Sequence, residues 1–191
     1  QLDLLGLVLR LRIAAVEDGS AAADAGLRPG DVLIEYGGAL RPTFKQLREI
    51  NKASAGKAVD VIVRRDGNNV PLEVTPKEIN GAAVIGIHVD VDQETPIVAA
   101  VRPGSAAAAL GVEPASEILA VTALDANGDV AGRREVATWI DVYQALVAFE
   151  GRRVGLQWRF AGQDRAGALG ALTAARFRRT DCGFDLLPSK V

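Results

Sequence analysis

Apolar and polar positions change period along the chain, and those changes mark its elements. From Leu7 onward, Leu9-Arg10-Leu11-Arg12-Ile13 alternates apolar and polar, the period of a half-buried strand. The stretch Gly19-Ser20-Ala21-Ala22-Ala23-Asp24-Ala25-Gly26-Leu27-Arg28-Pro29-Gly30-Asp31-Val32-Leu33-Ile34 then predicts a short helix, a tight turn and a strand. Ser20 offers a capping hydroxyl, Gly26 a left-handed helix end and Pro29-Gly30 a turn. Phe44, Leu47, Ile50 and Asn51 share one face of a helix over 44–53 behind a Thr43 cap. Residues 59–65, a turn at 66–69 and residues 70–74 predict a β-hairpin.

The pattern recurs. Gly104-Ser105-Ala106-Ala107-Ala108-Ala109-Leu110-Gly111-Val112-Glu113-Pro114-Ala115-Ser116-Glu117-Ile118-Leu119 repeats the helix, turn and strand, with Ala115-Ser116 where the first copy has Gly30-Asp31. Alanine takes φ > 0 less cheaply than glycine, so a different turn is expected there. Residues 125–132 read as an extended hairpin with an Asn127-Gly128 turn. Thr138 caps a helix over 139–149 whose one face carries Trp139, Val142, Tyr143 and Leu146, and residues 154–160 and 168–177 predict a closing hairpin.

The 191 residues are 49% apolar, enough for one or two cores. Lys and Arg number 22 against 24 Asp and Glu, and no basic stripe marks a nucleic-acid partner. Arg176, Arg178 and Arg179 read as a solvated strand edge. A single cysteine, Cys182, excludes an internal disulfide and a cysteine-rich metal site. The one histidine, His88, lies on a strand, where a structural or surface role is expected. Ser20 and Ser105 read as caps, and Asp24 and Asp31 as helix-end and turn residues. No catalytic residue, metal or cofactor is therefore expected in this chain. No apolar run is long enough to cross a bilayer and no signal-peptide pattern is present. The absence of methionine fits a piece of a longer protein.

The stretch from Gly19 to Gly38, in both copies, resembles the signature of bacterial-type PDZ domains. The resemblance implies an α+β chain of two tandem PDZ-like domains, each a small, partly closed β-sheet with two helices. The expected domains are 1–78 and 82–178, joined by a linker over 77–82, with a tail at 179–191. In this family an extended peptide segment or a protein C-terminus adds as a strand beside a helix, and an apolar-Gly-apolar loop presents amides to the ligand carboxylate. Leu5-Gly6-Leu7 and Ile85-Gly86-Ile87 match that loop. The groove expected in the first domain combines Leu5, Gly6, Leu7, Val8 and Leu9 with Phe44, Leu47, Arg48 and Asn51. That of the second combines Ile85, Gly86 and Ile87 with Trp139, Val142, Tyr143 and Leu146, where the aromatics are expected to fill their own groove. Gly6→Val is accordingly expected to weaken peptide binding more than Gly86→Val. The same aliphatic side chains serve equally as core.

Tandem domains of this kind resemble those of site-2 type intramembrane zinc metalloproteases, in which they lie between membrane segments on the extracytoplasmic side. The tail Asp181-Cys182-Gly183-Phe184-Asp185-Leu186-Leu187-Pro188 resembles the connection back to a membrane segment. This resemblance implies a non-catalytic, substrate-gating module at the periplasmic face of the cell envelope, used in regulated intramembrane proteolysis. Its partners would be peptide segments and the outer domains of substrates, and the zinc would lie in the parent protein. Tandem PDZ regions of HtrA-type serine proteases, and assembly scaffolds with PDZ domains, remain alternatives.

Overall fold

The computed structural model describes residues 4–171. The chain runs β1 (Leu7–Leu9), β2 (Leu11–Val16), α1 (Ala21–Asp24), β3 (Val32–Tyr36), β4 (Ala39–Leu40), α2 (Phe44–Ala53), β5 (Val59–Arg65), β6 (Asn68–Val74), β7 (Lys77–Ile79), β8 (Ala82–Val84) and β9 (Ile87–Val91). It continues β10 (Val98–Val101), α3 (Ala106–Ala109), β11 (Glu117–Leu124), β12 (Val130–Glu135), α4 (Trp139–Ala148), β13 (Arg153–Phe160) and β14 (Gln163–Ala171). The fold is α+β, as expected, with two helices and small antiparallel sheets in each of two compact units.

The units are not the segments 1–78 and 82–178. One comprises Arg10–Asp92; the other joins Gln1–Leu9 to Gln93–Val191. Strand pairing is the reason. β9 pairs antiparallel with β2, placing Ile13 opposite Val89, whereas β1 pairs antiparallel with β10, placing Leu7 opposite Val101. The unit Arg10–Asp92 is therefore an insertion within the other. Residues 77–82, expected as a linker, form the β7–β8 hairpin inside the inserted unit, with the turn at Asn80-Gly81. The tail at 179–191, with Cys182, and the Arg176, Arg178 and Arg179 cluster lie outside the described residues.

In the inserted unit the strands run β6-β5-β3-β2-β9, with β4 against β3. Alternate positions of β5, Val59, Val61 and Val63, are buried with Leu33, Tyr36 and Ile13 under α1 and α2. In α1 the Ser20 hydroxyl accepts from the Ala23 amide at 3.2 Å. The helix ends on Gly26, at φ +79°, where the Gly26 and Leu27 amides donate to the Ala23 and Ala22 carbonyls. Thr43 caps α2 with a reciprocal box: its hydroxyl accepts from the Gln46 amide and the Gln46 side chain accepts from the Thr43 amide. The β5–β6 hairpin is tighter than expected, because Asp66 and Gly67, at φ +49° and +79°, turn it alone.

The other unit pairs strands in the order β12-β11-β13-β14, beside the β1–β10 pair. Ser105 and Thr138 cap α3 and α4 in the same manner as Ser20 and Thr43. The residue 125–132 hairpin forms as expected, between β11 and β12. The closing strand starts at Gln163, earlier than expected, because Ala161-Gly162 takes the two positive-φ turn positions. The turn after α3 does not differ in type from the first. Ala115 adopts φ +75° where Gly30 adopts +94°, and its amide donates to the Val98 carbonyl at 2.8 Å just as the Gly30 amide donates to Ile13. The matching ladder at Ile13 and Val98 imposes this backbone despite the alanine side chain.

Candidate peptide-binding cleft

The cleft follows from how α2 is anchored. Leu47, buried on α2, packs into the core, and Asn51 one turn on accepts a hydrogen bond from the Tyr36 hydroxyl of β3. Burial pushes the Tyr36 phenol well above its ordinary range, so it remains a donor. This buried pair fixes the helix to the sheet and leaves its outer face, with Phe44, Lys45, Arg48 and Lys52, exposed. Phe44 is 53% exposed, and the Arg48 guanidinium sits 5.9 Å from its ring centroid.

Opposite α2 runs β8, which pairs through β7 on one side only among the described residues. Between α2 and β8 lies an open cleft of about 750 Å³, bounded at one end by Ile85-Gly86-Ile87. An exposed strand edge facing a helix across an apolar floor can accept an extended segment as an added strand.

The Ile85-Gly86-Ile87 loop is held against α1. The Ala22 amide donates to the Ile85 carbonyl at 2.8 Å and the Glu17 amide to the Gly86 carbonyl at 2.9 Å. Gly86 has φ +77°, and a Cβ there would stand 2.3 Å from the Ser20 Cβ. Glycine is required by this close approach and by the backbone conformation.

The structure thus reassigns the two loops. Ile85, Gly86 and Ile87 close the cleft formed with Phe44, Leu47 and Arg48, with Asn51 engaged by Tyr36 beneath it. Leu5, Gly6, Leu7, Val8 and Leu9 belong to the other unit. There Gly6, at φ +87°, packs on Ser105 of the α3 cap, and the Leu5 carbonyl accepts from Ala107 at 2.9 Å. Leu5, Leu7 and Leu9 are buried and Val8 pairs with Ala100. The contrast drawn between Gly6→Val and Gly86→Val is accordingly misplaced: only Gly86 adjoins the α2 cleft, and either substitution meets a capping serine.

On α4, Trp139, Val142 and Leu146 are core residues, Trp139 being 2% exposed, and Tyr143 is half-buried. None of them has the exposure of Phe44 on α2. His88, exposed on β9, stands 3.4 Å from the Glu17 carboxylate.

Sequence reasoning missed Arg65. It grips Asp31 through two bonds of 2.7 Å and the Gly26 carbonyl through one of 2.8 Å, tying β5 to the turn after α1. Hydrogen bonding to Asp31 raises the guanidinium above its ordinary value. An arginine at a strand end is common, so only the structure reveals the partner. Among the described residues no three His, Cys, Asp or Glu side chains converge as a metal site, and no helix is long and apolar enough to cross a membrane.

A family model described as a PDZ domain matches residues 12–65. A "Putative zinc metalloprotease" of Brucella suis is 36% identical over 74 residues, 39% of this chain and 20% of that protein. A second "Putative zinc metalloprotease", from Mesorhizobium japonicum, is 30% identical over 79 residues, 41% of this chain and 22% of that protein. The "Probable periplasmic serine endoprotease DegP-like" of Chlamydia trachomatis is 30% identical over 162 residues, 74% of this chain and 31% of that protein. The chain thus spans about a fifth of the length of the metalloproteases it matches. The solved PDZ domain of an SdrC-like protein from Listeria monocytogenes superposes with a TM-score of 0.39 at 20% identity, covering 43% of this chain and 88% of that one. Residues 12–65, within the Arg10–Asp92 unit, match a PDZ domain, on a chain with homology to proteins each named "Putative zinc metalloprotease".

Proposed function

We propose that this chain is the non-catalytic recognition module of a protease and that the α2–β8 cleft receives extended segments of its substrates. The observation that carries this reading is the β8 edge facing α2, unpaired among the described residues and closed by Ile85-Gly86-Ile87. In the site-2 reading, the two units stand at the periplasmic face of the cell envelope beside an intramembrane zinc metalloprotease. They act as a gate against substrates whose outer domain is still bulky, with peptide binding as the secondary role. Homology to named zinc metalloproteases supports it. In this reading the zinc belongs to the parent protein; among the described residues no ligand set for it comes together.

A serine-protease parent is the second reading. The similarity that favours it extends over 74% of this chain, against 39% for the Brucella protein. The two parents are separated by sequencing the full reading frame: a His-Glu-x-x-His motif within a hydrophobic segment supports the first, an upstream Ser-His-Asp domain the second.

Fluorescence anisotropy with labelled extended peptides tests the cleft itself. Binding of roughly micromolar strength, about −8 kcal/mol, is expected. Leu47→Ala should weaken it while Leu146→Ala in the other unit should not. No binding at millimolar peptide would exclude the peptide-binding role.

A further inference from the structure

The charged groups around the cleft are sorted between its helix wall and its loop. Lys45, Arg48 and Lys52 stand on the exposed face of α2 and line one wall. At 1.5 Å per residue this stripe runs about 10 Å along the helix. Glu49 is the one carboxylate among the helix residues of that wall, and it lies 3.7 Å from Lys45. Neither Arg48 nor Lys52 has a carboxylate within ion-pair distance among the described residues. Side chains on one face of an extended segment recur about every 6.7 Å, so two alternate positions fit the stripe.

The loop end carries the opposite sign. Glu17 lines the cleft beside Gly86, and its Oε2 would be 3.2 Å from a Cβ built there. A free chain terminus seated on the Ile85-Gly86-Ile87 amides would bring its carboxylate against that of Glu17. Like charges at such a separation repel, and more strongly where solvent is displaced.

From this sorting we infer that the cleft selects the middle of an extended polypeptide segment, with acidic side chains at alternate positions facing α2, and disfavours a free C-terminus. The inference rests on the α2–β8 cleft being a peptide site. Phe44 and Leu47 supply apolar contact shared by any sequence, whereas the three cations supply the choice among sequences.

The test uses the 191-residue chain and three labelled nonapeptides: alternating valine and glutamate with both ends blocked, the same with glutamine for glutamate, and the first with a free C-terminal carboxylate. The blocked glutamate peptide should bind at least tenfold tighter than the glutamine peptide, and added salt should erase most of that margin. Freeing the carboxylate should weaken binding, and Glu17→Gln should restore it. The exposed triple variant Lys45→Glu, Arg48→Glu, Lys52→Glu, checked for an unchanged circular dichroism spectrum, should reverse the preference between glutamate and glutamine. Equal affinity of the glutamate and glutamine peptides, or tightest binding by the free carboxylate, overturns the selectivity while leaving the cleft a peptide site. Failure of all three peptides to bind at millimolar concentration overturns both.

Discussion

Arg10 and Asp92, the first and last residues of the inserted unit, form a buried ion pair with 2.5 Å between Nη2 and Oδ2. The Asp92 amide donates to the Arg10 carbonyl at 2.8 Å beside it. The two ends of the unit are thus clasped where the chain enters and leaves. Burial and the nearby Arg10 charge both lower the Arg41 guanidinium from its ordinary value. Removing Asp92 would leave two cations together with the nearer one buried. Asp92→Asn is expected to cost about 3 kcal/mol in urea unfolding, the scale of a broken buried pair. Replacing both partners, Arg10→Met with Asp92→Leu, should recover most of that loss.

Division of labour between the units predicts how the chain can be cut. Residues 10–92 retain their whole sheet and core, so they should unfold cooperatively by themselves. Residues 93–191 lack β1 and the burial of Leu4, Leu5, Leu7 and Leu9. They should show little amide-exchange protection in β10 until a synthetic peptide of residues 1–9 is added. A cooperative, protected 93–191 fragment without that peptide would contradict the exchange of strands.

Ala115 holds a backbone conformation that costs an L-residue about 1–2 kcal/mol. Its φ of +75° is matched by glycine in the other copy. Ala115→Gly should raise stability by about 0.5–1 kcal/mol after the added freedom of the unfolded chain is subtracted. Gly30→Ala should lower stability by a comparable amount. Chemical denaturation of the two single variants and the parent protein at matched conditions reads both.

Acid should loosen α4 in particular. The Thr138 hydroxyl, with the Ala137 and Thr138 amides, holds the Asp141 carboxyl below its ordinary value. A carboxyl lowered by folding contributes stability above its unfolded value, about 3.9, and loses it as pH falls through the folded value. The stability difference between the parent and Asp141→Ala should therefore shrink as pH is taken from 6 to about 2. A difference independent of pH would assign the cap no charge component.

Elements set by neighbouring residues were legible in the sequence. Thr43 and the apolar spacing of Leu47 and Ile50 placed α2 at its observed bounds, and Ser20, Ser105 and Thr138 cap as their types imply. Choices made by distant pairing were not. Leu5-Gly6-Leu7 and Ile85-Gly86-Ile87 have the same local pattern, and adjacency in sequence assigned each to the wrong helix. Only the β9–β2 and β1–β10 ladders distinguish them. Phe44 and Trp139 likewise both follow a capping threonine, yet one is 53% exposed and the other 2%. That difference belongs to the surrounding sheet, not to the helix sequence. The positive φ of Ala115 is a third case, in which ladder register overrides residue preference.

The insertion of Arg10–Asp92 between Leu9 and Gln93 also determines how the molecule responds to pulling. The described residues before Arg10 and those after Asp92 belong to the same unit. Tension applied between them is resisted by β1 against β10 and by β14 against β13, while the unit holding the cleft carries none of it. Only after β1 peels away does the pull reach Arg10 and Asp92, and there it meets the ion pair that joins them. The cleft would therefore keep its shape under stretching forces that already open its companion.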